Sequence, residues 1–260
     1  MDLHLAGKTA LVTGASKGIG LAVVEGLVAE GAFVVAGART LSPELAALVA
    51  EGNVEFVAVD LAAPDGPAAL AERALAGRGV DILVNNVGAV APRPDGVADV
   101  SDEEWQRTLD LTLLAAVRLI RAVLPELIRR RGCIVTISSV NATLPDPLVG
   151  DYSAAKAALG SYSKSLANEV GASGVRVNTV SPGPVETGLW LGAGGVAETV
   201  SHAGGGTPED VAASAAAASV TGRFTRPEEV ADLVLILASD RLGNVTGTDF
   251  RIDGGLIRTI

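Results

Sequence analysis

Tyr152 and Lys156 stand four residues apart, a spacing that on a helix puts a phenol and an ammonium on one face, one turn from each other. A tyrosine titrates near about pH 10, and a fixed cation beside it favours the phenolate and moves its pKa towards neutral. A phenol so placed can protonate an alkoxide. The same spacing recurs on many surface helices, so the pair takes its meaning from what surrounds it. The chain also carries Thr13-Gly14-Ala15-Ser16-Lys17-Gly18-Ile19-Gly20 near its start and Asn85-Asn86-Val87-Gly88 in its middle. Ser138-Ser139 precedes the tyrosine, and Ser181-Pro182-Gly183 follows it.

These residues need a frame. Short β-branched runs at Thr9–Val12, Phe33–Val35, Val54–Val59, Ile82–Val84, Ile134–Ile137, Val175–Val180 and Thr248–Ile252 read as strands. Helical patterns separate them, which implies an α/β fold with a parallel sheet covered on both faces. Ser42-Pro43-Glu44, Thr207-Pro208-Glu209-Asp210 and Pro227-Glu228-Glu229 place proline and acid where a first helical turn favours them. No shift in composition divides the chain, so residues 1–260 read as one domain. The irregular stretch is Gly188 to Gly206, rich in glycine around Leu189-Trp190-Leu191 and followed by the small residues Ala212 to Ala218. It reads as a long flexible substrate lid spanning about 188–222, or otherwise as a surface loop.

The turn Thr13-Gly14-x-x-x-Gly18-x-Gly20 falls between the first strand and a helix beginning near Ile19, so its backbone N–H groups can approach a pyrophosphate. At the end of the second strand, where a carboxylate would favour a free ribose 2′-hydroxyl, the chain has Ala38 and Arg39. Lys17 adds a second cation, and two cations without an acid suit a 2′-phosphate, hence NADP(H) over NAD(H). Solvated surface charge is the alternative for both. Asp60, after the third strand, could accept from an adenine amino group or simply cap a turn.

Composition narrows the rest. Hydrophobic residues are 48% and charged residues 19% of the 260, apolar enough that some helix faces should be buried in an oligomer. A net charge of −10 argues against a nucleic-acid surface. One cysteine, Cys133, and two histidines, His4 and His202, offer no disulfide and no zinc cluster, so no metal is expected. Cys133 reads as a small hydrophobe at a strand start. Met1 to Lys8 lacks a secretory pattern, and Leu109 to Leu127 is broken by Arg118 and Arg121, which argues against a membrane span. A cytoplasmic protein is expected. Arg129-Arg130-Arg131 reads as a cationic close to the long helix.

Taken together, from Lys8 to about Gly255, these motifs resemble the short-chain dehydrogenase/reductase family, in the family's order and with the serine thirteen residues before the tyrosine. The resemblance implies a Rossmann-type doubly wound fold with a seven-stranded parallel sheet. It makes Tyr152 the acid/base, Lys156 the ribose ligand that depresses the tyrosine pKa, and Ser139 a donor to the substrate oxygen; a plain turn hydroxyl is the alternative for Ser139. It puts Gly14, Ser16, Lys17, Gly18, Ile19, Gly20, Arg39, Asp60, Leu61, Asn86 and Gly88 beside the cofactor, with Pro182, Gly183, Val185 and Thr187 against its nicotinamide. One departure stands out: in Asp110-Leu111-Thr112-Leu113, Thr112 occupies the place of the family's catalytic Asn. A threonine can back-bond to its own helix and hold a water, but it offers a hydroxyl in place of an amide.

Lysine four positions after tyrosine, not seven, resembles the carbonyl/alcohol branch and disfavours enoyl reduction. The expected function is NADP(H)-dependent interconversion of a ketone or aldehyde and an alcohol, in the reductive direction. The competing reading is a cofactor-binding or sensing protein of the same fold with weak turnover, for which Thr112 is the support. Family members pair through the Tyr152–Val170 helix and the preceding long one, so a homo-oligomer, tetramer or dimer, is expected. Ala154, Ala155, Ala157, Ala158 and Gly160 permit close helix approach there.

Overall fold

Each β-branched run forms a strand. In the computed structural model, which describes residues 2–259, the strands are β1 (Thr9–Thr13), β2 (Phe33–Ala38), β3 (Val54–Ala58), β4 (Ile82–Asn85), β5 (Cys133–Ile137), β6 (Arg176–Pro182) and β7 (Asp249–Ile252). They form one parallel sheet in the order β3-β2-β1-β4-β5-β6-β7. The helices between them are α1 (Gly18–Ala29), α2 (Pro43–Ala50), α3 (Gly66–Ala76), α4 (Asp102–Leu109), α5 (Ala115–Arg130) and α6 (Gly150–Val170). After β6 come α7 (Gly188–Leu191), α8 (Val196–Val200), α9 (Pro208–Ala218) and α10 (Pro227–Ala238).

Alternation along each strand divides the core in two. Ala10 and Val12 of β1, Ile82 and Val84 of β4, and Val135 of β5 face α1 and α10 through Val23, Leu27, Val230 and Val234. Leu11, Leu83 and Ile134, the residues between them, face the opposite layer with Leu70, Leu119, Val123 and Leu166. Both faces are therefore dry, which is why the strands read as continuous apolar runs. Cys133 belongs to this core: its thiol donates to the Ala238 carbonyl at 3.6 Å, and burial pushes its pKa up to about 11.

The capping signals form as the chemistry dictates. Ser42 accepts from the Leu45 N–H at 3.2 Å, and Thr207 from the Asp210 N–H at 3.1 Å, where the Asp210 carboxylate returns the bond to the Thr207 N–H. α5 does close on its arginines, through ion pairs of Arg129 and Arg130 with Glu126 and of Arg130 with Asp81. Between α4 and α5 the helix widens into a π turn over Asp110–Leu114, so one long helix carries a local bulge at Thr112.

The 188–206 stretch, read from its glycines as a flexible lid or a surface loop, carries helical structure. It folds as α7, α8 and a π turn over Ser201–Gly205, and the small-residue stretch after it becomes α9. The apolar residues among the glycines decide this: Ala197 is buried, and Trp190 packs edge-on against Phe224 with centroids 5.4 Å apart. No described helix is long and apolar enough to cross a membrane, and no metal-ligand cluster occurs among the described residues.

Candidate active site

The chain leaves β1 towards β2 on one side, while β4 lies on the other, and this reversal opens a crevice at the carboxyl ends of the strands. The glycine turn sits there. Gly14 and Gly18 have φ of +64° and +55°, a region that favours glycine. At Gly20 a β-carbon would overlap the Gly14 carbonyl, so α1 can start this close to the turn only because the residue lacks one. Lys17, at the N-cap of α1, makes no side-chain cap, which leaves the first N–H groups of the helix facing the crevice.

Asn86 fixes the turn to β4. Its side-chain amide donates to the Thr13 carbonyl at 2.9 Å and the Gly14 carbonyl at 3.2 Å, while its own N–H and that of Val87 donate to the Thr13 hydroxyl. Gly88 lies close to Lys156, where a β-carbon would come within 3.4 Å of Nζ. Lys17 and Arg39 are both exposed at the cavity edge, and neither has an ion-pair partner among the described residues. Asp60 also lines the cavity, but its carboxylate is engaged as a turn cap, accepting from the Ala62 N–H at 3.0 Å.

Across the crevice, β5 delivers Ser139 and α6 delivers Tyr152 and Lys156. Lys156 is buried, donates to the Ile137 carbonyl at 2.6 Å, and holds its Nζ 5.7 Å from the centre of the Tyr152 ring. Ser139 accepts from the Asn141 N–H at 3.2 Å and donates to the Asn141 carboxamide oxygen at 3.3 Å. Burial pushes Tyr152 up to about 12, with the Ser139 hydroxyl pulling it back, and burial pushes Lys156 down to about 8. Desolvation thus opposes the charged form of each, and Lys156 remains mostly protonated at neutral pH.

One cavity of about 1010 Å³ unites these residues. Gly14, Ser16, Lys17, Gly18, Ile19, Arg39, Asp60, Leu61, Asn86, Gly88, Ser139, Tyr152, Lys156, Pro182, Gly183, Val185 and Thr187 all line it. Two of the expected residues do not. Gly20 lies behind the turn. Thr112 is buried in the π turn that packs on α6, and its hydroxyl finds no hydrogen-bond partner, so the anticipated back-bond to its own helix is absent.

Sequence reasoning missed a buried polar cluster under the tyrosine. Asp151, its neighbour in α6, accepts from Arg93 at 2.9 Å and from the Thr108 hydroxyl at 2.8 Å, and Arg93 also pairs with Glu104 at 2.5 Å. Burial opposes the charge on Asp151, but these donors overcome it and hold the carboxyl below its usual range. No local signal links Arg93 to Asp151. Asn141 was findable, since a serine two residues before an asparagine is an ordinary turn pattern.

The comparisons with known proteins agree in outline. A family model described as enoyl-(acyl carrier protein) reductase matches residues 14–257. The 3-oxoacyl-[acyl-carrier-protein] reductase FabG of Escherichia coli (strain K12) is 35% identical over 262 residues, covering 98% of this chain and 99% of its own. The 3-alpha-(or 20-beta)-hydroxysteroid dehydrogenase of Mycobacterium tuberculosis is 36% identical over 263 residues, covering 99% and 92%. The structure of L-sorbose reductase from Gluconobacter frateurii, complexed with NADPH and L-sorbose, superposes with a TM-score of 0.91 at 36% identity, covering 100% of both chains.

Proposed function

The chain belongs to the short-chain dehydrogenase/reductase family, and from that premise we propose that it is an NADP(H)-dependent oxidoreductase interconverting a ketone or aldehyde and an alcohol. The observation that carries the reading is that Ser139, Tyr152 and Lys156 share one cavity with the glycine turn and with the two unpaired cations Lys17 and Arg39. The residues fit the cofactor. The open N-terminus of α1 suits a pyrophosphate, Lys17 and Arg39 suit a 2′-phosphate, and Pro182, Gly183, Val185 and Thr187 would border the nicotinamide.

A reduced nicotinamide held by these residues would supply hydride to a carbonyl carbon. The oxygen then gathers negative charge, which hydroxyl donors from Ser139 and Tyr152 stabilise, and Tyr152 releases its proton to complete the alcohol. Tyr152 is protonated at neutral pH, so it can act as the donor in the reductive direction. Lys156, with one donor spent on the Ile137 carbonyl, keeps others for ribose hydroxyls. The four-residue spacing of Tyr152 and Lys156 supports carbonyl rather than enoyl reduction, although the matching family model carries the enoyl description.

Incubation with NADPH and a panel of ketones tests the reading: the cofactor should be consumed, and a Tyr152→Phe variant should keep less than about a tenth of wild-type turnover. A shift in cofactor fluorescence without consumption would instead favour a sensing protein.

A further inference from the structure

Resting on the carbonyl/alcohol reading, we propose that the substrate is a ketone whose skeleton beyond the reacting carbonyl is apolar and free of hydroxyls. Past Tyr152 the cavity is walled by Leu111 of the π turn, Leu144 and Leu148 of the segment before α6, Trp190 of α7, Val200 of α8 and Val211 of α9. Two of these, with the neighbouring Leu189, are wet in the protein alone. Leu144, Leu148 and Leu189 are 47%, 37% and 44% exposed, and all three line this one cavity. Large apolar side chains gathered at a single opening are what an apolar ligand covers.

Polar side chains in this half are few. Ser139 and Tyr152 are reserved for the reacting oxygen. Asn141 spends its carboxamide oxygen on Ser139 and keeps its amide group, Asp146 spends one carboxylate oxygen on the Leu148 N–H at 2.9 Å, and Arg107 stands exposed at the rim. A ketose would bury several hydroxyls against leucine, valine and tryptophan, and each hydroxyl left unpaired costs about tenfold or more in affinity. The L-sorbose reductase that superposes on this chain binds such a polyol, so likeness of fold does not carry the substrate across. Within the wall, Trp190 packs edge-on against Phe224, and α9 opens on the reciprocal Thr207 and Asp210 bonds.

The test measures kcat/KM with NADPH for cyclohexanone, 2-decalone, L-sorbose and acetoacetyl-coenzyme A, together with equilibrium dialysis of 2-decalone against the NADPH-saturated protein. Burial of apolar carbon is worth about fourfold per methylene, and 2-decalone carries four carbons more than cyclohexanone, so even partial burial should favour it over cyclohexanone by at least about tenfold and over L-sorbose by at least about a hundredfold. Leu148→Asn, at an exposed position that tolerates a polar side chain, should lower the ratio of 2-decalone to cyclohexanone severalfold through KM, and Trp190→Ala should lower it further. Preference for L-sorbose or the thioester, or a ratio that neither variant moves, overturns the apolar assignment while leaving carbonyl reduction standing. If no carbonyl compound consumes NADPH, the reductase reading falls. The dialysis then decides the cavity separately: saturable 2-decalone binding weakened by Leu148→Asn upholds its apolar character, and no saturable binding overturns it.

Discussion

Lys156 is the residue whose surroundings are least comfortable, and its discomfort is measurable. The folded protein holds it at about 8 against an ordinary 10.5. Between those values the unfolded chain binds more protons at this site, so stability should rise as pH climbs above 8, and the folded state carries the full penalty below 8. Tyr152 and Cys133, raised to about 12 and about 11, act in the opposite sense but only above about pH 10 and pH 9. The interval from pH 8 to 9 therefore isolates the lysine. Lys156→Met should abolish turnover yet raise the unfolding free energy at pH 7 by about 2 kcal/mol, the desolvation relief less the lost bond to Ile137. Urea titrations at pH 7, 8 and 9 should show the gain shrinking as pH rises; a constant gain would point to packing instead. Thr112 offers a parallel case. Its buried hydroxyl makes no hydrogen bond to a protein group, so the isosteric Thr112→Val should stabilise the fold by about 1 kcal/mol, with kcat reporting whether that hydroxyl also serves turnover.

Elements act here by bringing short motifs to one point. The glycine turn depends on α1 starting hard against β1, and Gly20→Ala would drive a methyl into the Gly14 carbonyl and the Asn86 amide. That substitution should weaken NADPH binding at least tenfold in a fluorescence titration, because the N–H groups that face the pyrophosphate move with the turn. At the other wall, Arg93 joins the segment after β4 to α4 and to the first turn of α6. Arg93→Ala leaves the Asp151 carboxylate buried without a cation, at a cost of about 3–5 kcal/mol in unfolding free energy. Asp151 is held below the usual carboxylate range, so its contribution is complete at neutral pH and disappears as pH falls through its folded value. The gap between wild type and variant should close in acid.

For the whole molecule, cofactor choice and assembly are the properties at stake. Arg39→Asp exchanges a cation for an acid beside the crevice and should reverse the preference for NADPH over NADH by tenfold or more in kcat/KM. An unchanged ratio would remove the charge argument. The proposed homo-oligomer, a dimer or tetramer, would form through α5 and α6, where Ala154, Ala157 and Ala158 are exposed and small enough for close approach. Size-exclusion chromatography with light scattering should report an assembly, and Ala158→Arg should break it; monomeric wild type would overturn the proposal.

The strand runs, the glycine turn and the Tyr152–Lys156 pair were legible in the chain, because each is written in neighbours or in a fixed helical spacing, while Ser139 entered through the family's motif order. What the chain could not disclose depends on distant segments meeting. Arg93 finds Asp151 across 58 positions, the glycine-rich stretch folds into helices because Trp190 reaches Phe224, and the apolar wall draws on the π turn, the segment before α6 and three later helices. The direction of the Tyr152 and Lys156 shifts belongs to the same class. Spacing alone puts a cation beside a phenol, but the desolvation that opposes charge on both groups is set only by the folded molecule.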